Sequence, residues 1–247
     1  MVKTIDYYGY WNKNRKKGLY LWHREKVALH MLEKVLKEGN SLLDIGCSNG
    51  RFMQILQKKF QDKRLKLQGI DFSKSEIIEA KKFGLDVRQM NIEDGIKFGD
   101  KKFDAVYAGE IIEHLYNPDF FLSESNRILK NGGYLIFSTP NLCAWFNRIL
   151  MPLGIQPIFL EPSTKSKYVG AGFLNRFKKE GQPVGHVRIF TIRALKDMLA
   201  MNHLRLVAIK GSLFDEGLPK QALWIDKIFG LVPSLASNLV VIARKMR

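Results

Sequence analysis

The chain has 247 residues, 46% of them hydrophobic, with 40 Lys and Arg against 24 Asp and Glu and a formal net charge of +16. That apolar content supports a packed core and argues against a disordered chain, and two cysteines, Cys47 and Cys143, are too few for a disulfide scaffold. The basic excess suits an anionic partner or a lysine-rich solvated surface, and the uncharged run 228–243, broken by Pro233, Ser234 and Asn238, is too short to span a bilayer.

The first forty residues read as an N-terminal helical cap. Tyr7, Tyr8, Tyr10 and Trp11 precede a basic patch at 13–17, and these aromatics either cap a core or form a flap over a site. A helix is predicted over 21–37, with Val27, Met31, Leu32, Val35 and Leu36 on its buried face and Gly39 ending it. The opening residues lack the apolar stretch of a signal peptide. Together with the sparse cysteines, this leads us to expect a reducing, cytoplasmic compartment.

From Ser41 the pattern alternates. Apolar runs at 42–45, 65–70, 87–90, 103–107 and 134–138 read as strands, and 52–59, 74–83 and 119–129 as helices. Ser73 and Glu76 have the spacing of a capping box, and Lys130-Asn-Gly-Gly133 reads as a helix stop and turn. Alternation of this kind predicts an α/β fold with a parallel sheet and helices on both faces. It breaks over 142–187, where Pro152, Pro157, Pro162 and Pro183 mix with Trp145, Phe146 and Phe159 and with Lys165, Lys167, Arg176, Lys178 and Lys179. A stretch of that length without periodicity reads as a substrate lid or a membrane-contacting segment. A helix at 192–201 and strands at 204–210 and 239–243 complete seven strands, all within one expected domain over 1–247.

The chemistry starts at Asp44-Ile-Gly-Cys-Ser-Asn-Gly50. A strand running into a loop with Gly46 and Gly50 and then a helix brings backbone N–H groups and a positive helix end to a nucleotide-like ligand. The loop also fits the G-x-S-x-G of a hydrolase, with Ser48 as nucleophile, and it falls short of the G-x-G-x-x-G of a nicotinamide oxidoreductase. Asp71, Phe72 and Asn91 lie at successive strand ends. An acid there can accept from both ribose hydroxyls, an aromatic can pack on adenine, and an amide oxygen can accept from the adenine amino group.

Four motifs in order now carry a resemblance. Asp44-Ile-Gly-Cys-Ser-Asn-Gly50, Gly69-Ile-Asp-Phe-Ser73, the stretch from Phe103 through Gly109-Glu-Ile-Ile-Glu-His114, and that from Arg127 to Asn141 resemble the class I S-adenosylmethionine-dependent methyltransferases. Within that class the chain is most similar to the branch containing the ubiquinone-biosynthesis O-methyltransferases. The resemblance implies a Rossmann-like, doubly wound, seven-stranded, mostly parallel sheet. It also implies cofactor contacts from Asp44, Gly46, Gly50, Asp71, Phe72, Asn91, Ile92, Ala108 and Gly109. Ser48 departs from the family's usual middle glycine, and Asn91 stands where Asp is commoner.

Glu110, Glu113 and His114 have the i, i+3, i+4 spacing of one helical face. In the resembled branch a comparable set is associated with metal, so a divalent ion on these three residues is an alternative to the leading, metal-free reading. In that reading Glu110 orients the cofactor amino group, His114 is the first candidate base and His186 the second. The expected activity is methyl transfer to an oxygen of a small or lipid-linked acceptor. An acidic membrane surface is a candidate partner of the 142–187 segment, and nucleic acid is disfavoured because Ala-Gly-Glu-Ile follows the fourth strand. The runner-up readings are a nucleic-acid methyltransferase, prompted by the charge, and an NAD-dependent oxidoreductase.

Overall fold

The computed structural model describes residues 18–177, 181–214, 218 and 222–246, so the Tyr7 to Trp11 aromatics and the basic patch behind them lie outside the described residues. The elements in order are α1 (His23–Val35), β1 (Ser41–Ile45), α2 (Arg51–Lys59), β2 (Lys66–Asp71), α3 (Lys74–Lys81), β3 (Val87–Gln89) and β4 (Phe103–Gly109). They continue as α4 (Pro118–Ile128), β5 (Leu129–Pro140), α5 (Trp145–Leu150), α6 (Ile192–Met201), β6 (Leu204–Ser212), α7 (Leu223–Phe229) and β7 (Asn238–Lys245).

All seven strands form one sheet in the order β3-β2-β1-β4-β5-β7-β6. The first five run parallel, and β7 is inserted antiparallel between β5 and β6. Residues of β4 feed both faces, alternating after the register shift that follows Phe103. Phe103, Val106 and Ala108 pack with Phe121, Leu122, Leu195 and Leu199 from α4 and α6. Ala105 and Tyr107 pack with Leu32, Phe52 and Leu56 from α1 and α2. Burial on both faces explains why the strands read as near-continuous apolar runs.

Local chemistry sets the boundaries. Ser73 Oγ accepts from the Glu76 N–H at 3.4 Å and starts α3. Asn117 Oδ1 accepts from Phe120 N–H at 2.9 Å, and Pro118 occupies the first turn of α4. Two predictions are corrected. Lys130 to Gly133 do not cap a helix: α4 ends at Ile128, and Leu129 already pairs with Phe103 in the sheet. The glycines instead lie in the irregular stretch of β5 where the register against β4 shifts, with Gly132 at φ +76°. The fully buried Leu129 is worth more in the core than another turn of helix. Residues 110–114 likewise form no α-helix. Glu110 is left-handed at φ +57°, and only a 3-10 turn, Ile112–His114, follows.

The excursion after β5 is tied at its base, because Asn141 and Phe190 form a parallel bridge and Leu142 N–H donates to the Phe190 carbonyl at 3.0 Å. Between them lie α5 and the 3-10 turns Met151–Leu153 and Gly172–Phe177. Among the described residues, no helix is long and apolar enough to cross a membrane.

Candidate active site

Strand order reverses at β1, which has β2 on one side and β4 on the other, and a crevice opens beyond the carboxyl ends of these strands. There a cleft of about 250 Å³ is lined by the 46–49 loop, Asp44, Asp71, Phe72, Tyr107, Gly109 and Glu110, and is walled by Tyr20, Trp22, Arg24 and Glu25. Gly46 takes φ +74°, and a Cβ on it would collide with the Ile111 side chain. Gly50 is similarly left-handed, and a Cβ there would strike Leu85. Glycine is therefore demanded twice, by backbone conformation and by space. Ser48 also adopts a left-handed φ, +50°. Its N–H donates to Asp71 Oδ2 at 2.8 Å and its hydroxyl donates to Glu76, contacts that hold the strained turn.

Asp71 also accepts from Ser73 N–H at 2.8 Å, so each carboxylate oxygen is fixed by one backbone donor. Phe72 projects into solvent beside it, 55% exposed. Glu110 accepts from the Ser138 hydroxyl at 2.6 Å and lies 3.7 Å from Arg24 Nε. Arg51 pairs with Glu25, donates to the Tyr20 carbonyl and stacks on the Tyr20 ring at 4.4 Å. These contacts hold the start of α1 over the cleft.

Glu25, Asp44, Asp71, Glu76 and Glu110 therefore face one space, with Arg24 and Arg51 the only cations among the described lining residues. In a chain of net charge +16 the cleft is acidic. Burial, followed by the neighbouring Glu25 and Asp71 carboxylates, pushes the Asp44 carboxyl well above the usual range. A cation bound here would relieve that repulsion. The Cys47 thiol is pushed up by burial and by Asp44 and Asp71, which keeps it protonated and inert.

A second cluster lies beside the first. His114 and His186 sit with ring centroids 4.9 Å apart. Nδ1 of His114 donates to the Gly185 carbonyl at 3.0 Å, and Nδ1 of His186 to the Phe159 carbonyl at 2.8 Å, which leaves the lone pair on each Nε2. Burial, then His186, lowers the pKa of His114 to about 4, so this imidazole is neutral at physiological pH. Glu113 is fully buried, and its carboxylate oxygens have no hydrogen-bond partner among the described residues. Burial and the Glu110 charge raise its pKa well above the usual range.

Ligating atoms of Glu113, His114 and His186 lie within 4.8 Å of one another. The metal-type grouping thus differs from the expected one. Glu110 turns into the acidic cleft, because its left-handed backbone breaks the helical spacing, and His186 takes its place across the excursion.

The sequence-predicted residues divide accordingly. Asp44, Gly46, Asp71, Phe72, Gly109 and Glu110 line the cleft, and Gly50 shapes its loop. Ala108 is buried beneath it in the sheet. Asn91 and Ile92 lie outside the lining: Asn91 Oδ1 caps the Ile92–Asp94 turn by accepting from Glu93 N–H at 3.2 Å, and Ile92 packs against the core. Sequence reasoning missed Tyr20, Trp22, Arg24, Glu25, Arg51 and Tyr107. The aromatic N-terminal segment hinted at a flap, but no local pattern marks Arg24 or Glu25 as facing a ligand. Glu76 was legible only as half of a capping box.

Sheet order with an antiparallel β7, together with a glycine loop after β1 and an acid at the end of β2, is that of a Rossmann-like methyltransferase fold. Residues 43–137 match the family described as a methyltransferase domain. The ubiquinone biosynthesis O-methyltransferase of Alkalilimnicola ehrlichii is 32% identical over 110 residues, covering 42% of this chain and 43% of that protein. The protein of the same name from Chromobacterium violaceum is 27% identical over 184 residues, covering 67% and 77%. A solved SAM-dependent methyltransferase from Archaeoglobus fulgidus superposes with a TM-score of 0.60 at 19% identity, covering 97% of this chain and all of that one. Residues 43–137 carry a methyltransferase domain, and the chain is similar to S-adenosylmethionine-dependent methyltransferases. It spans less than half the length of the first of these relatives.

Proposed function

We propose that the chain binds S-adenosylmethionine in the acidic cleft and transfers its methyl group to an oxygen of a small or lipid-linked acceptor beside His114 and His186. The observation that carries this reading is the acidic lining. A sulfonium and an ammonium group suit five carboxyl groups facing one cleft, whereas the pyrophosphate of a dinucleotide would be repelled. A hydrolase reading loses support because the Ser48 hydroxyl is bonded to Glu76 and no histidine lines the cleft among the described residues.

When bound, the cofactor supplies a methyl group already activated on a positive sulfur, so the protein chiefly aligns the acceptor with it. S-adenosylmethionine would be held by Asp71 at its ribose hydroxyls, Phe72 at its adenine, Arg24 at its methionine carboxylate, and Glu110 and Asp44 at its ammonium. His114, neutral and backed by the Gly185 carbonyl, takes the acceptor's proton at Nε2. His186 positions the acceptor on the other side. A divalent cation, where one is used, fits Glu113, His114 and His186, because the buried carboxylate of Glu113 lacks a partner among the described residues. In that case the ion would orient the acceptor oxygen and His114 would no longer serve as the base. The 142–187 segment forms the acceptor side of the site, through Phe159 against His186.

The test has two parts. Thermal shift with S-adenosylmethionine and with NAD reads the cofactor, and stabilisation by NAD alone refutes the cleft assignment. Incubation with labelled S-adenosylmethionine and fractionated lipid, metabolite and RNA extracts reads the acceptor. Label confined to RNA refutes the small or lipid-linked acceptor.

A further inference from the structure

Helix α7 faces the wrong way for a helix on a water-soluble surface. Its one acid, Asp226, is buried and accepts from Trp145 Nε1 at 3.0 Å, from Phe214 N–H at 2.8 Å and from the Ser237 hydroxyl. Two of its large apolar residues, Trp224 and Ile228, and Leu231 just after it point outward, while Phe229 packs on Trp145. Trp224, Ile228 and Leu231 recur at i, i+4 and i+7 and are 62%, 56% and 83% exposed. The helical turn continues past Phe229, since Gly230 N–H donates to the Asp226 carbonyl at 2.7 Å and Leu231 N–H to that of Ile228 at 3.2 Å.

Helix α5 packs beside it. Trp145 stacks on Phe229 at 5.7 Å, and Arg148 donates to the Ser234 carbonyl at 3.2 Å. The end of α5 and the turn after it add Ile149, Met151 and Leu153, all exposed. Exposed aliphatics gathered on two packed helices exceed the scatter expected of an ordinary surface.

We propose that α7 and the end of α5 form a docking surface for an anionic lipid bilayer. Charge and composition choose this occupant. Lys227 is exposed on α7 between Trp224 and Ile228, and Arg148 flanks Ile149 on α5. Trp, Leu and Ile with interspersed Lys and Arg match the interfacial zone of a membrane, where long cationic side chains reach the headgroups. A protein-binding surface is typically depleted in lysine at its centre. The excursion between β5 and α6 carries Lys165, Lys167 and Arg176 against Glu161 among its described residues. Glu161 is already engaged by the N–H groups of Val184, Gly185 and His186.

The docking face is coupled to the site by contact. Trp145 touches Phe146, which packs on Phe159, which in turn packs on His186. Bilayer docking through α7 would place a lipid-linked acceptor next to that aromatic path. The docking stands whether or not the methyl-transfer reading holds, because lipid binding is measured without the cofactor.

The experiment is co-sedimentation of the full chain with neutral phosphatidylcholine vesicles and with vesicles containing phosphatidylglycerol. The expected result is pelleting with the anionic vesicles, weakened by salt, and about tenfold less with Trp224→Ser/Leu231→Ser. Lys227→Glu keeps the apolar face and is expected to lose affinity for anionic vesicles only. Melting temperature and S-adenosylmethionine affinity of the variants are expected to match the parent, which separates a docking defect from a folding or cofactor defect. Absence of lipid-dependent pelleting, or equal pelleting of parent and double variant, overturns the proposal. So does a parent dimer that the double substitution converts to monomer, since it assigns the face to a second copy of the chain.

Discussion

Replacing Asp71 with Asn changes one oxygen to a nitrogen and leaves the size of the side chain alone. In the folded chain one carboxylate oxygen accepts from Ser48 N–H and the other from Ser73 N–H, each at 2.8 Å. Asparagine offers a single acceptor, so one backbone donor loses its partner, at a cost of about 1–3 kcal/mol in stability. A carboxylate oxygen can accept more than one hydrogen bond, so the same group can also accept from the ribose hydroxyls. Charge-assisted hydrogen bonds of that kind contribute about 1.5–3 kcal/mol each, and the amide keeps only part of that. Asp71→Asn is therefore expected to bind S-adenosylmethionine about 100-fold more weakly, equivalent to about 2.7 kcal/mol. Isothermal titration reads the affinity and urea unfolding reads the stability. An affinity within threefold of the parent, with stability reduced, would show that Asp71 only ties the loop together and would refute the ribose assignment.

Three further outcomes are expected. His114 has its pKa depressed in the fold, from 6.5 to about 4, so the unfolded chain binds the extra proton between those values and stability rises with pH across that window. The full swing is about 3 kcal/mol, and urea unfolding of the parent minus His114→Asn isolates it from the opposite slope of Glu113; a difference independent of pH contradicts the burial argument. Gly46→Ala places a side chain at φ +74° against Ile111 and is expected to cost roughly 2–4 kcal/mol. Adding Ile111→Ala should return only the packing share, so full recovery would mean the backbone conformation was never strained. Glu25→Gln keeps an acceptor for Trp22 N–H but leaves the largely buried Arg51 guanidinium without its countercharge, so a loss of about 3 kcal/mol is expected by calorimetric melting.

Much of the frame was legible in the amino-acid sequence because it depends on local rules. Apolar runs give strands, Ser73 caps a helix, Gly46 and Gly50 mark a loop that only glycine can make, and the alternation of the two patterns requires a parallel layered sheet. Asp44 and Asp71 were visible as candidate site residues because each lies at the carboxyl end of a strand, and the carboxyl ends of β1 and β2 are where such a sheet opens. Tertiary structure decided what distance along the chain conceals. The acidity of the cleft comes from Glu25 on α1 and Glu76 on α3 meeting Asp44, Asp71 and Glu110. The i, i+3, i+4 spacing of Glu110, Glu113 and His114 predicted one helical face, but a left-handed Glu110 sends its carboxylate into the acidic cleft. Glu113 and His114 are left to meet His186, which lies 72 residues beyond His114 and is brought there by the Asn141–Phe190 bridge. Charge showed the same division. A net +16 follows from composition, whereas the placement of negative charge in the cleft, and of a basic, apolar face on α5 and α7, depends on which sides of those elements the core had already buried.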